Sequence, residues 1–184
     1  GGPVRYFLND RTVAGVSADA FRTAIAQSFT TWQQVPSASI AYALAGTTSA
    51  RPGEDDGIST LGFLDEPAFD RVLASTSFLV DTATGELLES DIFFNAVFPW
   101  SASSDGVPGR WDLQTVATHE IGHLSGLGHS AIGETALEAA GRRVLSIGAV
   151  MFPIALGPGD ISARVLFADD VAGISDLYPD GQVR

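Results

Sequence analysis

All three histidines of the chain lie within eleven consecutive residues, in the segment H-E-I-G-H-L-S-G-L-G-H. His119 and His123 are four residues apart, so on a helix their imidazoles project from one face and could bind the same cation. Glu120 lies between them and could act on a metal-bound water without being a ligand. Gly126 permits a sharp turn that would bring His129 round as a third ligand. Three protein nitrogens leave one position open, which is typical of a catalytic zinc site.

The length of this pattern makes it informative. The short form H-E-x-x-H arises by chance, whereas the extended form H-E-x-x-H-x-x-G-x-x-H is the metzincin signature. The alternative is that these histidines are ordinary exposed or hydrogen-bonded helix residues. All five fixed positions are filled and no histidine occurs elsewhere, so we favour metal ligands.

The surrounding residues resemble a particular metzincin family, the matrixins. Ser130 follows the third histidine, as is typical of matrixins. Residues 149–153 resemble the family's Met-turn, in which a methionine, here Met151, lies beneath the metal; a lone methionine otherwise more often fills a core. Residues 169–179 resemble the matrixin C-terminal helix, in which paired aspartates, here Asp169 and Asp170, anchor the Met-turn. The two aspartates would also suit a helix N-terminus.

The resemblance implies a zinc-dependent endopeptidase that hydrolyses peptide bonds. One catalytic Zn²⁺ would be held by His119, His123 and His129, and Glu120 would be the general base toward a zinc-activated water. The substrate would be a protein or peptide, and the location secreted or cell-surface. The alternative is a non-catalytic, zinc-containing peptide-binding module. The presence of Glu120 disfavours it, because a module without catalysis would have little reason to keep the general base. A structural surface protein without zinc is the third possibility.

The chain also departs from the matrixin pattern. Once three histidines are assigned, none is left for the second, structural zinc of matrix metalloproteinases. Met151 follows His129 by 22 residues, more than a compact matrixin needs, which puts the shape of the neighbouring pocket in doubt. Phe152 replaces the usual tyrosine. Ca²⁺ could bind the acidic residues 54–56, although a solvated acidic loop is favoured because no EF-hand-like spacing occurs.

Composition excludes several other classes of protein. The chain has 184 residues, 45% of them hydrophobic, which indicates one domain over residues 1–184. Its 22 acidic and 10 basic residues give a net charge of −12, which disfavours nucleic acid as a partner. The absence of cysteine excludes thiolate chemistry, and no apolar run approaches the ~20 residues of a membrane span. We expect a monomer, and the lack of a signal peptide or propeptide suggests a processed product.

The elements needed to position the site can also be predicted. Ser17 should cap an amphipathic helix that ends before Pro36, and Asp112 should cap the helix that carries His119. The last helix should span residues 168–177, and a short helix is predicted at 134–143. Strands are predicted at residues 4–8, 39–44, 58–64, 76–80 and 87–94, and the matrixin resemblance implies that residues 73–78 form an edge strand beside the cleft. We expect an α+β, metzincin-like fold, in which a mixed twisted sheet packs on helices and the active-site helix lies beneath the cleft.

Overall fold

The computed structural model describes residues 2–139 and 141–181. Its helices are α1, α2 and α3, at Ala18–Gln33, Leu113–Leu124 and Ala168–Leu177. Its first five strands are β1 to β5, at Val4–Asn9, Tyr42–Thr48, Thr60–Leu64, Ala74–Val80 and Leu87–Asn95. Four short strands follow as β6 to β9, at Trp100–Ser101, Trp111–Asp112, Gly133–Glu138 and Gly141–Ile147.

The main sheet is mixed, as expected for the α+β class. Its strand order is β2-β1-β3-β5-β4, with the first four strands parallel and β4 antiparallel to β5. Strand β4 therefore lies at one edge, which confirms the edge strand predicted near residues 73–78. The turn between β4 and β5 contains Gly85 at a φ of 75°, a conformation that glycine adopts without strain.

Helix α1 packs against the sheet and against α2. Ser17 accepts a hydrogen bond from the Ala20 amide, which confirms the predicted cap. Residues at three- and four-residue spacing form the buried face of the helix, and one of them, Phe29, stacks on Tyr6 of β1 with ring centroids 4.0 Å apart. Trp32 is fully buried and donates its indole N–H to the Thr118 carbonyl of α2 at 2.8 Å. This contact fixes α2, and therefore the histidines, relative to the rest of the core.

One predicted element is wrong. The sequence predicts a short helix over residues 134–143, but residues 134–138 and 141–143 lie in the antiparallel strands β8 and β9. Glu134, Ala136 and Leu137 are good helix formers, yet pairing with β9 buries Val144 and overrides that weak local preference.

The second strand begins later than predicted, at Tyr42 rather than residue 39. The Ser39 amide instead donates to the Tyr178 carbonyl, and Ala38 pairs with Pro179 in an isolated bridge. Residues 38 and 39 therefore pair with the chain that follows α3, and β2 begins only after them. Among the helices of the described residues, none combines the length and apolar character required to cross a membrane.

Candidate metal centre

Helix α2 carries three of the predicted site residues, His119, Glu120 and His123. The Asp112 carboxylate caps the helix by accepting the Thr115 amide at 2.8 Å, as the sequence predicts. Arg164 pairs with the same buried carboxylate, with its Nε 2.9 Å from Oδ2. The start of α2 is thus fixed by both a backbone hydrogen bond and an ion pair.

A glycine turn after α2 brings the third histidine back toward the helix. Gly126 has a φ of 93°, its amide donates to the His123 carbonyl at 2.8 Å, and the Leu127 amide donates to the Gly122 carbonyl at 3.0 Å. These two bonds are those of a Schellman motif, which requires a left-handed residue after the helix cap. The turn predicted at Gly126 is therefore confirmed.

The three histidines converge. The candidate ligand atoms of His119, His123 and His129 all lie within 4.8 Å of one another, and the Nε2 atoms of His123 and His129 are 3.1 Å apart. Two nitrogens bound tetrahedrally at ~2.0–2.1 Å from one zinc would be about 3.4 Å apart. The cluster could therefore hold a single cation with small movements of the rings.

Backbone carbonyls orient two of the imidazoles. His119 Nδ1 lies 2.7 Å from the Val150 carbonyl, and His123 Nδ1 lies 2.8 Å from the Leu127 carbonyl. A carbonyl only accepts, so each Nδ1 carries the proton and each Nε2 lone pair is left for a metal. Burial lowers the pKa of both His119 and His123, which favours the neutral form that binds metals. The donor set therefore fits Zn²⁺.

Glu120 is buried beside this cluster and is held by the edge strand. Thr76 of β4 donates its hydroxyl to Glu120 Oε2 at 2.6 Å. Burial raises the pKa of Glu120, while the Thr76 bond and the nearby histidines oppose that increase. The matrixin resemblance implied an edge strand here, but the sequence gave no signal for the role of Thr76, because a threonine in a strand is common.

Met151 lies directly against the helix that bears the histidines. It is buried, and a Cβ added to Gly122 would lie 2.2 Å from its sulfur. Asp170 holds this segment by accepting the Val150 amide at 2.7 Å and the Met151 amide at 3.1 Å. The anchor expected from the aspartate pair is therefore present, and it is Asp170 rather than Asp169 that supplies these bonds.

The histidines and Glu120 line a cavity of about 820 Å³. Residues of β4 line one wall, and α2 and the segment after β9 contribute most of the apolar lining, which includes Val116, Ala149, Val150, Phe152 and Leu156. Ile147, at the base of the β8–β9 hairpin, also contributes to the lining. The site is thus a largely apolar cleft with a few polar groups beside one sheet edge.

The acidic loop near residues 54–56 is held by two buried carboxylates. Asp91 accepts the amides of Gly53 and Thr60, and Glu89 accepts the amide of Gly57. Burial raises the pKa of Asp91 to about 6. Within residues 2–139 and 141–181, the histidine triad is the one group of three or more His, Cys, Asp or Glu side chains close enough together to hold a metal. Calcium in this loop stays a prediction.

The chain is similar to known metalloendoproteinases. A family model described as matrixin matches residues 3–179. Metalloendoproteinase 2-MMP of Arabidopsis thaliana is 32% identical over 130 residues, which cover 65% of this chain and 29% of that protein. Metalloendoproteinase 5-MMP of the same plant is 43% identical over 67 residues, covering 36% of this chain and 14% of that protein. Matrix metalloproteinase-15 of Homo sapiens is 36% identical over 100 residues, covering 53% and 13% respectively.

These matches agree with the fold and with the clustered histidines, because the three relatives are named metalloendoproteinases or a matrix metalloproteinase. Because the family model spans almost the whole chain, the resemblance noted in the sequence is confirmed, and the chain belongs to the matrixin family. It spans less than a third of the length of each of these three relatives.

Proposed function

We propose that residues 1–184 form one catalytic domain of a zinc-dependent endopeptidase. The observation that carries this proposal is the convergence of three histidines and a buried glutamate on one cleft. His119, His123 and His129 would hold a single Zn²⁺. When bound, the metal supplies Lewis acidity toward water and the scissile carbonyl.

Glu120 acts as the general base. It accepts a proton from the water whose oxygen bonds to the carbonyl carbon, and it delivers that proton to the amine nitrogen as the carbon–nitrogen bond breaks. Thr76 holds Oε2, so the carboxylate keeps a fixed orientation toward the cleft.

The substrate is a protein or peptide bound in extended form. Strand β4 is paired on one side by β5 and lies at the sheet edge, and four of its residues line the cavity together with Leu73. Backbone groups on the free side of an edge strand can pair with an added strand. The apolar lining of the cavity favours apolar substrate side chains. We further propose a monomer that acts in a secreted or cell-surface setting, as family membership suggests.

The test replaces Glu120 with glutamine and measures zinc content and peptide cleavage together. We expect Glu120→Gln to keep about one zinc per chain while cleavage falls by roughly 10²–10⁴-fold, the usual contribution of acid–base catalysis. Glu138→Gln, on the exposed part of the hairpin, is the matched control and should change neither. Unchanged cleavage by Glu120→Gln would refute the mechanism. A wild-type chain that binds zinc yet cleaves no member of a peptide library would instead be a peptide-binding module.

A further inference from the structure

We infer that Ser125, Tyr42 and Tyr178 form a hydrogen-bonded clamp that positions the metal-binding histidines. Ser125 is the C-cap of α2, two residues after His123, and it is almost completely buried. Its Oγ donates to the Ile121 carbonyl at 2.7 Å. A hydroxyl has one proton, so the Tyr42 hydroxyl, 2.6 Å away, must donate to Ser125 Oγ. The inference rests on the proposed zinc site.

The second tyrosine holds the backbone of the same residue. The Tyr178 hydroxyl donates to the Ser125 carbonyl at 2.9 Å. Tyr42 lies on β2, with its ring 4.7 Å from that of Phe29, whereas Tyr178 directly follows α3. The end of α2 is thus tied through one residue to the sheet and to the C-terminal helix. Burial raises the pKa of both tyrosines, which keeps them protonated as donors.

The clamp is joined to the metal ligands by the glycine turn. Leu127, two residues after Ser125, supplies the carbonyl that orients His123, and His129 follows two residues later. The Leu127 side chain packs against Gly173 of α3, where an added Cβ would lie 2.9 Å from its Cδ2. A shift of the Ser125 peptide would therefore move both the carbonyl that orients His123 and the backbone that carries His129. Ser125, Tyr42 and Tyr178 are positioning residues, because they act through the turn and not on a substrate.

The test measures zinc affinity by competition with a chelator for wild type, Tyr178→Phe and Tyr42→Phe. Loss of a group that orients a metal ligand typically lowers affinity 10–100-fold. Because this clamp acts through one further peptide, we expect about a five- to tenfold increase in the zinc dissociation constant for each variant. The visible absorption of the Co²⁺-substituted chain should also change, since it reports the geometry of the ligands.

Two controls separate positioning from general stability. Tyr6→Phe removes the hydroxyl of a buried tyrosine on β1, away from the turn, and Ile25→Val weakens the core by about 1 kcal/mol. Both should keep the wild-type zinc affinity and Co²⁺ spectrum. If one tyrosine variant fails to fold, the other decides. If both tyrosine variants bind zinc within twofold of the wild-type affinity, the clamp inference is overturned and the proposed function stands. If the wild-type chain binds no zinc, the proposed function itself is overturned.

Discussion

Replacing Asp170 with asparagine should weaken both the fold and the metal centre. The Asp170 carboxylate is buried and accepts three amides. Its Oδ2 lies 2.7 Å from the Val150 nitrogen and 2.9 Å from the Phe167 nitrogen, and its Oδ1 lies 3.1 Å from the Met151 nitrogen. Asparagine has nearly the same shape. Its oxygen can keep the two bonds at Oδ2, but its NH₂ group then faces the Met151 N–H as donor against donor.

The magnitude follows from these three bonds. A buried donor left unpaired costs about 1–3 kcal/mol, and the two remaining bonds weaken because their acceptor is no longer charged. We expect a loss of about 3 kcal/mol in the free energy of unfolding, less than the ~5–15 kcal/mol of a typical domain, so the chain still folds. For a chain of this size, that corresponds to a fall in Tm of about 6–12 °C.

The same substitution should reach the metal site, because the Val150 carbonyl orients His119. We expect about tenfold weaker zinc binding, in line with other changes to groups that orient metal ligands. Urea unfolding and chelator competition measure the two effects separately. Asp169→Asn, one residue earlier in the same helical turn, is the control and should cost less than about 1 kcal/mol. If Asp170→Asn costs no more than Asp169→Asn, the anchoring role is refuted.

Three further predictions concern other parts of the chain. Gly122→Ala should lower the free energy of unfolding by about 1–3 kcal/mol and weaken zinc binding, because the added Cβ would lie 2.2 Å from Met151 Sδ. Gly128→Ala is the control, since a Cβ added there would have no atom within 4 Å. Equal unfolding free energies for the two variants would contradict this prediction. Burial raises the pKa of Asp91 from 3.8 to about 6, so the folded state binds this proton more tightly than the unfolded state does. The resulting contribution to the free energy of unfolding is fully present below pH 3.8 and is lost as the pH rises through 6. Urea unfolding at pH 4.5 and 7.5 should therefore show wild type gaining about 2 kcal/mol relative to Asp91→Asn at the lower pH, and a pH-independent difference would refute the shift. Thr115→Val should leave stability unchanged or slightly raised, because its buried hydroxyl has no hydrogen-bond partner in the described part of the chain; a loss above 1 kcal/mol in thermal unfolding would disprove this.

The predicted ligands could be read from the sequence because the relevant pattern is local. Helix geometry fixes the relation of His119 to His123, and one glycine turn brings back His129, so eleven contiguous residues determine the cluster. The groups that orient it come from distant segments and are backbone carbonyls or common side chains. Thr76 is 44 residues from Glu120, and neither has a spacing that would mark the pair in advance.

The β8–β9 hairpin explains why a long spacing between His129 and Met151 does not displace the methionine. The two ends of an antiparallel hairpin lie side by side, so the hairpin can be lengthened without changing the distance between the segments that it connects. Here the Ser130 amide donates to the Met151 carbonyl at 2.8 Å, and the Gly148 amide donates to the Ile132 carbonyl at 2.9 Å. A longer insertion adds little closure cost, since that cost grows only with the logarithm of loop length. Among the described residues of the β8–β9 hairpin, Ile147 is the one that lines the cavity, so the remaining length of the hairpin adds little to the wall beside the ligand cluster.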